Sequence, residues 1–183
     1  AIANNAGGEK SVKYGTTKDY VRNLRLVLSN GEVLITGRVN KKELNKKKGL
    51  PTFEGEIYRA IDGLLTDNAD LLDSFGVNTS KNSAGYNLWD IKRKDGSFDL
   101  TPLIVGSQGT LGIVSEATLE TEVHNPLKTL IVSKFNTIAD ACRAVDALNK
   151  LDPSALELVD DKLLNFLDKH NPNQLKGILD PPY

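Results

Sequence analysis

The chain has 183 residues, 39% of them hydrophobic and 26% charged, with a formal net charge of -1. That suits one ordinary globular domain, or a small domain with part of a second. It argues against nucleic acid or an anionic membrane as partner. No apolar run approaches the roughly 18 residues of a membrane helix, and no secretory segment opens the chain. Cys142 is the only cysteine, so there is no disulfide framework and no cysteine metal cage, which fits a cytoplasmic, reducing setting. The sequence opens on Ala1 and contains no methionine, from which a trimmed polypeptide is expected.

Val21 to Leu28 alternates with a period near two, meets Ser29-Asn30-Gly31, and resumes through Val33, Leu34 and Ile35. Two short apolar runs around Asn-Gly predict a β-hairpin whose two central residues both tolerate positive φ. Five lysines between Asn40 and Lys48 predict a solvated loop or helix face rather than a binding patch. Phe53 to Phe75 is predicted helical, because Ile57, Ala60, Ile61, Leu64, Leu65, Leu71 and Leu72 recur at helical spacing. Gly63 or Asn68 could break it. Asn78 to Asn87 is small and polar, a loop by composition.

Leu103 to Val105 is a short buried run, and Ile113 to Leu119 alternates like a strand. Asn125-Pro126 marks a boundary, since the residue before proline is pushed out of helical space. Beyond it Leu127 to Phe135 and Ala155 to Val159 are predicted strands. Ile138 to Leu148 is predicted as an amphipathic helix, and Asp161 to Leu167 begins another. Strand, helix, strand, helix suggests a second α+β unit.

Two segments could carry chemistry. Ala3-Asn4-Asn5-Ala6-Gly7-Gly8 is small enough for its backbone to approach a bulky ligand, and its N–H groups could face a diphosphate. A flexible terminus explains the same composition. Gly106-Ser107-Gln108-Gly109-Thr110-Leu111-Gly112 clears bulk from one side of a turn, and Ser107 and Thr110 could give hydroxyl donors to a phosphate or ribose. A tight packed turn explains it equally. It is neither the Rossmann fingerprint nor a Walker loop nor a nucleophile elbow. His124 and His170 have no partners at metal-ligand spacing, so no metal is expected. Tyr86 and Trp89 are expected to pack rather than stack on a ligand ring.

Order and spacing say more than any one motif. Ala1 to Gly8, Lys13-Tyr14-Gly15-Thr16-Thr17, Leu26 to Leu34, Lys81-Asn82-Ser83-Ala84-Gly85-Tyr86-Asn87-Leu88 and Val105 to Thr118 follow one another as in the FAD-linked oxidases of the vanillyl-alcohol oxidase superfamily. The chain most resembles the glycolate oxidase D-subunit and D-lactate dehydrogenase group, and Ala155 to Asp160 resembles part of that group's cap.

The resemblance implies an α+β fold: residues 1–125 as the second FAD-binding subdomain, with an insertion at about 38–78, and 126–183 as the start of a ferredoxin-like cap. It implies FAD as cofactor, with Asn4, Asn5, Ala6 and Gly7 lining the diphosphate and flavin. Gln108, Gly109, Thr110, Leu111, Gly112, Ile113 and Val114 would hold the ribose and adenine side. Gln108 stands where the family usually has Glu.

The family's first glycine-rich FAD loop is expected before Ala1, and its catalytic histidines and substrate arginines after Tyr183. No catalytic residue is therefore carried over, and the chain alone is expected to be inactive. The implied parent oxidises a 2-hydroxy acid such as D-lactate or glycolate, a small-molecule substrate, with an electron acceptor the sequence does not name. It would be cytoplasmic or peripheral to a membrane. A non-catalytic flavin-binding or scaffold domain, and a sugar or alcohol oxidase of the same superfamily, are the alternatives. The unfinished cap is expected to leave Leu130, Val132, Leu156 and Leu158 partly exposed or self-associated.

Overall fold

The computed structural model describes residues 1–76, 79 and 81–175. The chain divides into two compact units. The first holds Ala1–Gly7 and Thr16–Glu122, the second Gly8–Gly15 and Val123 onward. Helix and sheet are mixed, an α+β architecture.

In chain order the elements begin with two single helical turns, α1 (Ser11–Tyr14) and α2 (Thr17–Tyr20), then β1 (Val21–Val27), β2 (Val33–Ile35) and β3 (Arg38–Val39). Three helices follow, α3 (Lys41–Lys48), α4 (Phe53–Asp67) and α5 (Ala69–Ser74). β4 (Phe98–Asp99), α6 (Thr101–Ile104) and β5 (Ile113–Leu119) complete the first unit. The second unit holds α1 together with α7 (Ile138–Asn149) and α8 (Asp161–His170).

β1 is the centre of a three-stranded antiparallel sheet ordered β2-β1-β5. The predicted hairpin forms, with Leu26 opposite Leu34 and Val27 opposite Val33. Its turn differs from expectation. Only Gly31 takes positive φ, at 84°. Gly31 N–H donates to the Leu28 carbonyl at 3.0 Å, Leu28 N–H to Glu32 at 2.9 Å, and Asn30 Oδ1 accepts from Glu32 N at 2.9 Å. A three-residue loop with one left-handed glycine fits the strand twist without a second strained residue.

The β1–β5 register slips between Val21 and Asn23 and again between Arg25 and Leu26. The first slip explains why Val21 and Leu24, an odd number of residues apart, are both buried: a bulge turns one side chain across the sheet. Beneath the sheet Leu24, Leu26, Leu34, Tyr58, Ile91, Phe98 and Leu100 are almost wholly enclosed. Full burial of each aliphatic is worth about 1.5–3 kcal/mol relative to exposure.

The lysine-rich run is a helix, and its start has a mechanism. Asn40 Oδ1 accepts from Glu43 N at 3.0 Å while Glu43 Oε2 accepts from Asn40 N at 2.9 Å, a reciprocal cap. Leu44 is the only buried residue of α3, so the lysines stay solvated. Lys47 and Lys48 pair with Glu54 and Asp62 of α4. The predicted long helix divides at Asn68, whose Nδ2 donates to the Leu64 carbonyl at 2.9 Å. Of the polar loop expected over 78–87, Asn78 and Ser80 lie outside the described residues; 79 and 81–87 form neither helix nor strand. Leu103 and Ile104, read as a buried run, lie buried in α6.

In the second unit α7 and α8 form where periodicity placed them. Each is capped at its N-terminus, by Thr137 accepting from Asp140 N at 3.1 Å and Asp160 accepting from Leu163 N at 2.8 Å. Lys13 Nζ bonds Asp152 Oδ2 at 2.6 Å, tying the 8–15 segment to the turn after α7. Residues 127–135 and 155–159, predicted as strands, form no ladder among the described residues. Their apolar alternation is present, but a strand exists only with a backbone partner, and none is supplied here.

Candidate functional site

The two small-residue segments meet. Gly106 N–H donates to the Ile2 carbonyl at 3.0 Å and Gln108 N–H to the Ala3 carbonyl at 2.7 Å, so residues 2–3 and 106–108 are stitched backbone to backbone. A Cβ on Gly106 would stand 3.3 Å from that of Asn5, which sets how closely the segments approach. The 1–7 segment is thus folded into the first unit rather than trailing as a flexible end.

Asn5 is buried, 5% exposed, with φ 46°. Asparagine tolerates that left-handed backbone better than most residues. Its Oδ1 accepts from Lys18 N at 2.9 Å, closing the first turn of α2. Ala6 O accepts from Thr17 N at 3.0 Å and from the Thr17 hydroxyl at 2.8 Å. The Asn5 side-chain oxygen therefore shapes the loop, while Asn4 and Gly7 beside it are exposed.

On the other segment the Thr110 hydroxyl, read from sequence as a donor, gives its proton within the loop. Ser107 is buried. Thr110 Oγ1 gives its single proton to the Ser107 carbonyl at 2.6 Å. Tyr86 OH lies 2.7 Å from Thr110 Oγ1 and must be the donor of that pair, since the threonine proton is already used. What remains is main chain. The N–H groups of Gly109, Leu111 and Gly112 find no acceptor among the described residues. Gln108, Gly109 and Thr110 are exposed, Leu111 and Gly112 half-buried.

Gly109 and Gly112 serve different ends. Gly109 has φ 78° and nothing within 4 Å of where a Cβ would project, so its face is open to a ligand. Gly112 has φ 153°, and a Cβ there would lie 2.9 Å from the Val27 carbonyl, so this glycine lets the loop lie against β1. Ile113 and Val114 continue into β5, opposite Val27 and Leu26. Free backbone donors on an open, side-chain-poor loop, clasped to a second such loop, suit the hydrogen-bond acceptors of a nucleotide. Among the described residues no cluster of His, Cys, Asp and Glu is arranged to hold a metal, and none of their helices is long and apolar enough to cross a membrane.

Tyr86 is the participant that residue patterns missed. It was expected only to pack, yet its hydroxyl fixes the glycine loop from outside. Trp89, by contrast, ties the helical segment, its Nε1 donating to the Leu72 carbonyl at 3.0 Å.

Residues 1–37 match the FAD binding domain family, and over most of its length the chain is similar to FAD-linked dehydrogenases and oxidases of 2-hydroxy acids. The D-2-hydroxyglutarate dehydrogenase of Pseudomonas putida is 30% identical over 163 residues, covering 89% of this chain and 16% of that protein. The mitochondrial cytochrome-type D-lactate dehydrogenase of Kluyveromyces lactis is 27% identical over 170 residues, 92% of this chain and 21% of its own. Glycolate oxidase subunit GlcD of Bacillus subtilis is 28% identical over 184 residues, covering 97% and 28% respectively. The chain thus spans between 16% and 28% of the length of these relatives.

Proposed function

We propose that this chain is the part of an FAD-dependent 2-hydroxy-acid dehydrogenase that holds the cofactor. Asn4, Ala6 and Gly7 face the diphosphate and flavin end, and Asn5 shapes their loop. Gln108, Gly109, Thr110, Leu111, Gly112, Ile113 and Val114 hold the ribose and adenine side, mostly through main chain. The observation that carries this reading is the clasp of Ile2 and Ala3 to Gly106 and Gln108, which brings two exposed, small-residue loops together. The relatives named for D-2-hydroxyglutarate, D-lactate and glycolate support a 2-hydroxy acid as substrate class.

In that reaction the bound flavin supplies the acceptor for the hydride leaving C2 of the acid. The residues described here orient the cofactor and exclude bulk from its approach. Residues 126–183 belong to the substrate-covering domain on this reading, and the single cysteine accords with a reducing compartment.

The test uses the full-length protein. Extracted cofactor is identified by its chromatographic mobility, and the bound flavin is then titrated anaerobically with D-2-hydroxyglutarate, D-lactate and glycolate. Bleaching of the oxidised flavin band by at least one acid is expected. A protein that carries no FAD, or whose flavin none of the three reduces, refutes the proposal.

A further inference from the structure

A groove of about 540 Å³ runs beside the glycine loop, wholly within the first unit. One wall is the apolar face of α4, where Phe53, Ile57, Ala60 and Ile61 line it. The opposite wall is the β1–β2 hairpin, with Leu28, Ser29 and Leu34. The Gly109–Ile113 segment closes one edge, and Leu100, Leu103 and Ile104 lie along the groove as well. No sequence feature assigned α4 a role in binding. It lies in the stretch expected as an insertion.

The lining decides what chemistry the groove accepts. None of its side chains is charged. A diphosphate or a 2-hydroxy acid, both anions, would enter without a cation to meet it and would lose its hydration at high cost. A flat, neutral heteroaromatic ring suits aliphatic walls on either face. Such a ring still needs polar contacts at its edge, and besides the Ser29 hydroxyl on one wall the groove offers a row of main-chain donors along one edge. The unpartnered N–H groups of Gly109, Leu111 and Gly112 belong to the segment that closes that edge. A purine carries ring nitrogens that accept hydrogen bonds, so donors on one edge and apolar walls on the faces complement it. Placement agrees: Gly109 adjoins Gln108, which is bonded to Ala3, and Val27, Leu28, Ser29 and Leu34 fall within the span matched by the FAD binding domain.

We infer that α4 is a nucleotide-binding element: Phe53, Ile57 and Ile61 form the outer wall of the pocket that takes the adenine ring of the cofactor. The inference rests on the cofactor reading above and adds the wall that the loops alone do not supply. It makes the 38–78 stretch part of the binding site and not merely a surface elaboration.

Ala60 and Ser29 are exposed residues on facing walls, so bulk added at either fills the groove without disturbing the core. Ala60→Trp and Ser29→Trp are made in the full-length protein, stripped of flavin. FAD, FMN and ADP affinities are measured by fluorescence quenching and competition, and folding by circular dichroism. Each variant should weaken FAD and ADP at least tenfold and leave FMN, which lacks adenine, within twofold of wild type. A folded variant with wild-type FAD and ADP affinity overturns the inference, as does an equal loss of FMN and FAD.

A measurement without any substitution guards against misfolding. ADP bound to the wild-type protein should slow amide hydrogen exchange across residues 53–61, and unchanged exchange there also overturns the inference. A wild-type protein that takes up no FAD at all refutes the cofactor reading underneath it, an outcome separate from the others.

Discussion

Gln108 donates its backbone N–H to the carbonyl of Ala3 at 2.7 Å, and it does so from a left-handed backbone with φ 58°. The side chain of Gln108 is exposed and takes no part in that bond. Main chain, not side chain, is what this position contributes. Gln108→Glu should leave stability within about 0.5 kcal/mol, as surface changes usually do. Gln108→Pro removes the N–H and demands φ near -65°, so it should cost well over about 1 kcal/mol and release flavin. Thermal unfolding and the flavin-to-protein absorbance ratio check both.

Gly109 and Gly112 should separate binding from folding. Gly109→Val meets open space, so its cost is backbone strain of about 1–3 kcal/mol, and the branched side chain projects where the cofactor is expected. Gly112→Val adds a collision with the Val27 carbonyl to the same strain and should lose fold and flavin together. Bound-flavin absorbance and circular dichroism on one sample tell the cases apart. Equal loss of fold in both variants would count against the open face at Gly109.

Tyr58 is fully enclosed, and its hydroxyl is the one buried side-chain polar atom without a partner among the described residues. Burial, reinforced by the Glu54 and Asp99 carboxylates, pushes its phenol pKa well above the ordinary 10. A buried unpaired hydroxyl costs about 1–3 kcal/mol. Tyr58→Phe keeps the ring beside Phe98 and removes that cost, so the variant should melt higher than wild type. A lower midpoint would mean the hydroxyl has a partner, such as an ordered water.

Two carboxylates predict acid sensitivity. Asp95 accepts from the Ser97 hydroxyl and N–H at 2.7 and 3.0 Å and pairs with Arg38, which holds its pKa at about 2 instead of 3.8. For Asp62, burial acts to raise the pKa, but hydrogen bonds from Lys48 and Lys92 outweigh it and hold it below 3.8. Both folded-state values are depressed, so the stability they confer is present above pH 3.8 and is lost as pH falls below it, for Asp95 toward about 2. Denaturant midpoints measured between pH 5 and 2 should fall steeply for wild type and less so for Asp95→Asn and Asp62→Asn. A parallel decline in all three would reject the assignment.

The second unit should be sticky. Leu130 and Ile131 are 83% and 80% exposed, Val132 and Leu158 are exposed, and Leu156 is half-buried. Contiguous exposed apolar residues mark an interaction surface. Sedimentation of this 183-residue chain should show concentration-dependent association that Leu130→Asp and Ile131→Asp reduce. A monomer at all concentrations would contradict it.

Local signals were the legible part of the fold. Asn30-Gly31 marked the hairpin, and the spacing of Ile57, Ile61 and Leu65 marked α4. The cap of α3 was equally visible in Asn40 and Glu43, but the lysines drew attention to charge instead of to the start signal. Residues 127–135 show the opposite failure. Their alternation is genuine, yet pairing depends on a partner that no local pattern names. At the site, glycines marked the loops. The Tyr86 contact with Thr110 and the α4 groove arise from segments far apart in sequence, and only their meeting in space makes them visible.

The sheet also dictates the order in which the site can assemble. β1 reaches β2 through a three-residue loop, a closure of microseconds, but it reaches β5 across 91 residues at Arg25–Glu116 and 98 at Arg22–Glu120. Long loops close late because their entropy is lost before any contact repays it. The clasp between Ala3 and Gln108 sits at the mouth of that same long loop and forms with it. If the two loops are the cofactor cradle proposed above, half of it is absent until β5 docks, and flavin capture waits on the longest-range pairing. On the proposed cofactor reading, loading with FAD is thereby a late checkpoint on folding.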